Sequence, residues 1–100
     1  MKQRQVIFAP EARDDLLRLY DHIAGAASPT VALAYLERIE DYCSRFDLAS
    51  ERGRLRNDIR PGLRIIGFER RVTIAFAVDE NRVTILRLSY GGRDWEAEFS

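Results

Sequence analysis

Arginine supplies most of the side chains in this sequence that could grip another molecule. Fifteen of the sixteen basic residues are arginine, and Lys2 is the only lysine. The formal net charge is zero, but residues 51–71 hold seven arginines against Glu51, Asp58 and Glu69. Residues 1–50 carry six positive and eight negative charges, and residues 72–100 carry three and five. A basic block inside a neutral protein suits a local contact with phosphates or carboxylates, not a general coating of nucleic acid. The planar guanidinium fork matches both anions. Arg60 and Arg71 fall at the ends of expected strands. Arg64 and Arg87 alternate with apolar residues, so each belongs either to a solvated sheet face or to a binding surface. Arg93 is equally able to pair with Asp94 or Glu96. Tyr90 and Trp95 follow the last apolar strand and are of the types that anchor interfaces. The alternative for Trp95 and Phe99 is to close one end of the core. The candidate target-binding residues are therefore Arg60, Arg64, Arg71, Arg87, Tyr90, Arg93 and Trp95.

The single histidine, His22, sits beside Asp21 in an expected helix and reads as a helix-surface residue. Near the C-terminus, Trp95 and Phe99 cannot transfer protons, and Tyr90 is the phenol that remains there, with Arg87 three residues before it. The sequence has no glycine-rich phosphate loop, no metal-ligand cluster and no nucleophile elbow. No catalytic residue, metal or cofactor is expected. Cys43 is the only cysteine and lies among apolar residues of an expected helix, so it reads as a buried thiol. A chain that cannot form an internal disulfide suits a reducing cytoplasm.

These residues need a scaffold, and the apolar pattern describes one. One hundred residues fit a single domain, 1–100, able to bury roughly 60–70% of its unfolded surface. No apolar run approaches the ~18 residues of a membrane span. The apolar stretch before Pro10 is too short for a signal peptide. Gln5 to Ala9 reads as a short strand. Pro10 suits the first position of a helix, with Glu11, Asp14 and Asp15 favouring the dipole of its first turn. Ala12, Leu16, Leu19, Ile23 and Ala27 then mark one apolar helix face. Ser28-Pro29 starts a second helix, whose stripe is Ala32, Tyr35, Leu36, Ile39, Tyr42, Cys43 and Phe46. The short connection predicts an antiparallel helical hairpin.

Between Asp47 and Pro61 the periodicity lapses into an arginine-lined loop. It then switches to period two in Leu63–Phe68, Val72–Val78 and Val83–Tyr90, with a turn at Asp79-Glu80-Asn81. Gly67 within a strand marks a bulge or a close backbone approach. The predicted class is α+β, in the order β-α-α-β-β-β: an antiparallel strand meander with an N-terminal helical hairpin packed on one face. Its expected core is Leu16, Leu19, Ile23, Tyr35, Ile39, Phe46, Ile65, Ile74, Phe76, Ile85 and Leu88.

The ordered set resembles the ParE branch of the ParE/RelE toxin superfamily over almost the whole chain. The residues that carry the resemblance are Ala12, Asp15, Leu16 and Ile23, then Pro29, Ala32 and Gly53, then Arg60-Pro61-Gly62-Leu63-Arg64. Arg71, Val78-Asp79 and Val83-Thr84-Ile85-Leu86-Arg87 follow, leading to Tyr90-Gly91-Gly92-Arg93-Asp94. Two departures stand out. Tyr90 occupies a place where family members often have histidine, and the loop at 49–58 lacks a proline before its glycine.

The resemblance implies a cytoplasmic toxin of a type II toxin–antitoxin pair, neutralised by a cognate ParD-like antitoxin and directed at DNA gyrase by direct binding. It implies neither a membrane nor sequence-specific nucleic-acid recognition. The alternative is a RelE-like, ribosome-dependent mRNA endoribonuclease. Such nucleases use lysines, arginines and a C-terminal tyrosine for the base, the acid and the phosphorane charge. This sequence offers little of that set, which favours binding over catalysis.

Overall fold

A computed structural model describes residues 3–48, 51–91 and 95–99. The chain runs through strand β1 (Gln5–Phe8), helices α1 (Pro10–Ala26) and α2 (Pro29–Ser44), and a 3-10 turn at Arg45–Asp47. Strands β2 (Arg54–Leu55), β3 (Leu63–Phe68), β4 (Val72–Val78) and β5 (Arg82–Tyr90) follow, then a second 3-10 turn at Trp95–Phe99. The α+β class, the helical hairpin and the antiparallel β3–β4–β5 meander are those expected from the pattern. No helix among the described residues is long and apolar enough to cross a membrane.

The helix boundaries follow from local chemistry. Pro10 occupies the start of α1, where its missing N–H costs nothing. The Ser28 hydroxyl accepts the Val31 amide at 3.1 Å and caps α2 ahead of Pro29. Ala27, the last position of the α1 stripe in the sequence, falls just beyond the helix, where its amide donates to the Ile23 carbonyl.

The sheet is wider than three consecutive strands plus a lead-in. Its order is β1-β5-β4-β3-β2. β1 pairs in parallel with the first half of β5, with Gln5 opposite Arg82 and Phe8 opposite Ile85. The two-residue β2 adds antiparallel to β3 inside the stretch that reads as loop. Asp79 organises the β4–β5 turn by accepting the Asn81 and Arg82 amides, both at 2.8 Å. Those two bonds hold its carboxyl below the ordinary value.

A register shift between β4 and β5 settles which side chains enter the core. Ala75 lies opposite Arg87, but Phe76 lies opposite Ile85, so Leu86 has no partner. Strict alternation would place Ile85 and Leu88 on opposite faces. The extra residue puts both on the helix-facing side, where both are buried.

The core lies between the hairpin and the sheet. Of the expected members, Leu19, Tyr35, Ile39, Phe46, Ile74, Phe76, Ile85 and Leu88 are buried, and Leu16 and Ile23 pack against them. Ile65 is the correction. It lies opposite Ala75, whereas Ile66 and Phe68 lie opposite the core residues Ile74 and Val72. In Leu63-Arg64-Ile65-Ile66-Gly67-Phe68 both parities carry apolar residues, so alternation alone cannot choose the face. Cys43 is fully buried, and burial, then Glu40, pushes its thiol up to about 12. It is a packing residue.

The β3–β4 turn is strained. Glu69 and Arg70 adopt φ of 50° and 59°, and the Arg71 amide closes the turn onto the Phe68 carbonyl at 3.0 Å. Left-handed backbone costs a residue with a Cβ roughly 1 kcal/mol. Arg70→Gly should therefore stabilise the chain by about 0.5–1 kcal/mol, read as a higher urea midpoint. A lower midpoint would show that the arginine side chain holds the turn more strongly than its backbone resists it.

Candidate functional site

β1 ends at Phe8, so the second half of β5 has an open edge beside α1. The Ala9 amide reaches the Ile85 carbonyl at 2.9 Å, and the chain then turns into the helix. The next outward amide of β5, that of Leu88, donates to Asp15 Oδ2 at 2.9 Å. Arg87 closes on the same carboxylate as a fork, Nε to Oδ2 at 2.8 Å and Nη2 to Oδ1 at 3.0 Å. Arg18 Nη2 adds a bond to Oδ1 at 2.8 Å. The Asp15 side chain is 3% exposed and that of Arg87 is 18% exposed.

Burial would raise the Asp15 carboxyl, but its bonds to Arg87, to the Leu88 amide and to Arg18 outweigh this and hold it below the ordinary value. The carboxylate thus substitutes for a missing strand neighbour and fixes the end of β5 against α1.

That clamp forms one end of a groove between the helices and the far end of the sheet. One lobe, of about 330 Å³, is lined by Arg18, Leu19, Val72, Leu88 and Gly91 beyond the Asp15 clamp. A second lobe, of about 350 Å³, is lined by Ile23, Val31, Tyr35, Arg38, Glu69 and Arg71. His22 and Tyr90 line both lobes and meet edge to face at 5.0 Å. In the second lobe Arg38 forks onto Glu69, Nε to Oε2 at 3.0 Å and Nη2 to Oε1 at 3.2 Å. That hydrogen bond lowers the Glu69 carboxyl and raises the Arg38 guanidinium. The Arg38 guanidinium also lies over the Tyr35 ring at 5.0 Å.

A separate surface forms where the C-terminal turn meets the arginine loop. Arg56 holds Asp58 through two bonds, of 2.9 and 2.8 Å, and Glu96 through one of 3.2 Å. Its guanidinium stacks over Trp95 at 5.2 Å, and that of Arg60 lies over Phe99 at 6.0 Å. The hydrogen bond to Asp58, with that to Glu96, raises the Arg56 guanidinium. Beside this surface, Ala9, Glu11, Arg60, Leu86, Arg87 and Phe99 line a cavity of about 220 Å³.

The seven residues singled out in the sequence thus fall in separate places. Arg71 and Tyr90 share the second lobe of the groove. Arg60 lines the small cavity beside Phe99, and Trp95 packs on Arg56. Arg87 lines that cavity too, with its guanidinium committed to Asp15. Arg64 is half-buried opposite Phe76 and donates to the Arg52 carbonyl at 3.4 Å. Arg93 lies outside the described residues.

The sequence reading missed Asp15 as a clamp, although its place between Ala12 and Leu19 on the apolar stripe was a usable signal. It missed Arg56, which reads as one loop arginine among several. It assigned His22 to the helix surface, where it is indeed exposed, but not to a groove. Among the described residues, no group of three or more histidine, cysteine or acidic side chains is placed to hold a metal.

Known proteins share this architecture. A structure titled as the chromosomal ParDE TA system from P. aeruginosa superposes with a TM-score of 0.78 at 24% identity, covering 89% of this chain and 97% of that one. The toxin–antitoxin complex RelBE2 from Mycobacterium tuberculosis superposes at 0.61 with 18% identity, covering 93% and 97%. At these identities the likeness establishes a common fold. A search of curated proteins returns no match. Residues 6–95 match the family model described as the ParE toxin of type II toxin–antitoxin system, parDE, and the chain belongs to that family.

Proposed function

We propose that this ParE-type toxin is held inactive in the cytoplasm by a ParD-like antitoxin encoded beside it and, when released, inhibits DNA gyrase by direct binding. The observation that carries the gyrase reading is the joined surface of Arg56, Arg60, Trp95 and Phe99. Arginine and tryptophan anchored on one another are preorganised contact groups for a protein partner. The solved relatives are titled as toxin–antitoxin assemblies, which supports an antitoxin partner.

A second reading, ribosome-dependent mRNA cleavage, draws on the His22–Tyr90 contact, which places two proton-bearing groups in one groove with Arg18 and Arg71. Against it, Arg87, three residues before Tyr90, already neutralises a buried carboxylate. Purified toxin assayed for gyrase supercoiling, and separately for mRNA cleavage on translating ribosomes, decides between the two. Inhibited supercoiling with intact mRNA is expected. Cleavage with untouched supercoiling would transfer the function to the nuclease branch.

A further inference from the structure

The turn that joins β3 to β4 carries charge that the fold does not use. Phe68 and Val72, the apolar residues at its two ends, are buried members of the core. Between them Glu69, Arg70 and Arg71 are all exposed. Glu69 is taken by the Arg38 fork, which ties the turn to α2. Arg71 adds to the field on Glu69 but forms no ion pair among the described residues. The Arg70 side chain has no hydrogen bond, ion pair or ring contact among the described residues. Three guanidiniums thus stand against one carboxylate.

Arg70 also sits where its backbone resists it, at a φ of 59° directly after Glu69 at 50°. Asparagine or glycine would relieve such a turn. The fork onto Arg38 offsets the strain at Glu69; no contact among the described residues offsets it at Arg70. Strained backbone of this kind collects at places that meet a ligand. The turn is also stiff. The Arg71 amide closes it onto the Phe68 carbonyl at 3.0 Å, and the Gly91 amide holds the Arg71 carbonyl at 2.8 Å. A charged group on a fixed mount loses little freedom on binding.

The kind of partner follows from what the turn lacks. A protein contact centres on apolar or aromatic anchors beside its arginines, and both apolar neighbours of this turn are buried in the core. A phosphodiester backbone asks only for positive charge and donors. We infer that the β3–β4 turn is a phosphate contact for duplex DNA, with Arg70 at its tip and Arg71 beside it. The contact reads charge and not sequence. It rests on the gyrase reading, because it sets the toxin against the DNA that gyrase holds as well as against the enzyme. The Arg56–Trp95 surface lies at the other end of β3, where the Arg56 amide donates to the Leu63 carbonyl, so the two contacts can be altered independently.

The test uses the full chain and a fluorescein-labelled DNA duplex of arbitrary sequence, titrated from low to physiological salt. Binding should weaken with salt at a log–log slope of about −2, the counterion release of two phosphates. Arg70→Gly should bind roughly fivefold more weakly with a slope nearer about −1, while its urea midpoint stays at or above that of the parent chain. Arg71→Gln should weaken binding to a similar degree. Arg13→Gln, exposed on α1, should not. No binding at low salt, full binding by Arg70→Gly, or an equal loss in Arg13→Gln would overturn the contact. Tighter binding of oligouridylate would overturn it in favour of RNA, and displacement of the duplex by an equal charge of polyglutamate in favour of an acidic protein. Supercoiling assays separate the contact from the reading beneath it. A parent chain that inhibits supercoiling without binding the duplex would remove the contact and leave the gyrase reading standing. Duplex binding through Arg70 by a chain that leaves supercoiling untouched would do the reverse.

Discussion

Asp15→Ala should unfold at a much lower urea concentration than the parent chain, losing about 3–5 kcal/mol. The change strips three partners at once. Arg87, largely buried, loses the carboxylate its fork closes on, the Leu88 amide loses its acceptor at an open strand edge, and Arg18 loses its anchor. For a domain whose whole stability is about 5–15 kcal/mol, such a loss is a large fraction.

A double variant distinguishes the clamp from simple packing. Asp15→Ala with Arg87→Met removes the largely buried guanidinium together with its carboxylate and should recover part of the loss, leaving roughly the 1–3 kcal/mol of an unpaired amide. Strictly additive losses would show that the pair is not coupled. The acid limb gives a second measurement. Folding lowers the Asp15 carboxyl below its ordinary 3.8, so the unfolded chain takes up the proton more readily. The stabilisation is complete above about that pH and is lost as pH falls through the lower folded value. Asp15→Ala should therefore flatten stability against pH below about 4, and an unchanged acid limb would contradict the clamp.

Trp95→Ala should raise the toxin concentration needed to block gyrase supercoiling by roughly 30-fold, the equivalent of a ~2 kcal/mol interface anchor. Trp95 is half-buried, with Arg56 5.2 Å from its ring and Phe99 6.4 Å away. Removing the indole releases the Arg56 guanidinium from its stack and loosens the whole Arg56–Arg60–Phe99 surface. Arg93→Ala, two residues earlier, should reduce inhibition in the same direction. Both variants should still co-purify with the antitoxin. Full inhibition by both would place the gyrase contact elsewhere, most plainly on the loop arginines between Arg52 and Arg71. A large fall in the urea midpoint of Trp95→Ala would instead make the indole a core-closing residue.

What could be read from the sequence was whatever depends on neighbours in the chain. Pro10, the Ser28 cap and the two apolar stripes define the hairpin because helix starts and periodicity are local properties. Alternation in Val72–Val78 defines a strand for the same reason. The parallel β1–β5 pairing was not legible, because nothing local to Gln5–Phe8 says which distant strand it will join. β2 was invisible because two residues carry no period. Ile65 and Ile66 compete for the core, and the choice between them is made by register with Ala75 and Ile74.

The site was harder still. Asp15 looks like a dipole residue until Leu88 is placed beside it. The groove is assembled from both helices, the strained turn and the end of β5, so only the ring of Tyr90 and the charge of Arg71 could be flagged beforehand. The seven candidates were chosen by residue type, and type cannot distinguish an arginine facing a partner from one tied to a buried carboxylate.

The parallel pairing of the first strand with the last has a consequence for how the molecule comes into being on the ribosome. Gln5–Phe8 has no strand to join until residues 82–85 have been made. At ~5–20 residues per second, that wait is on the order of 4–15 s. During it the helical hairpin waits for Val83, Ile85 and Leu88, which complete its core. Leu88, Tyr90 and Gly91 are also walls of the groove, so they too emerge last. Translation itself thus delays the moment at which the groove exists. A chain that ends before residue 82 lacks β5, and with it the Leu88, Tyr90 and Gly91 walls of the groove.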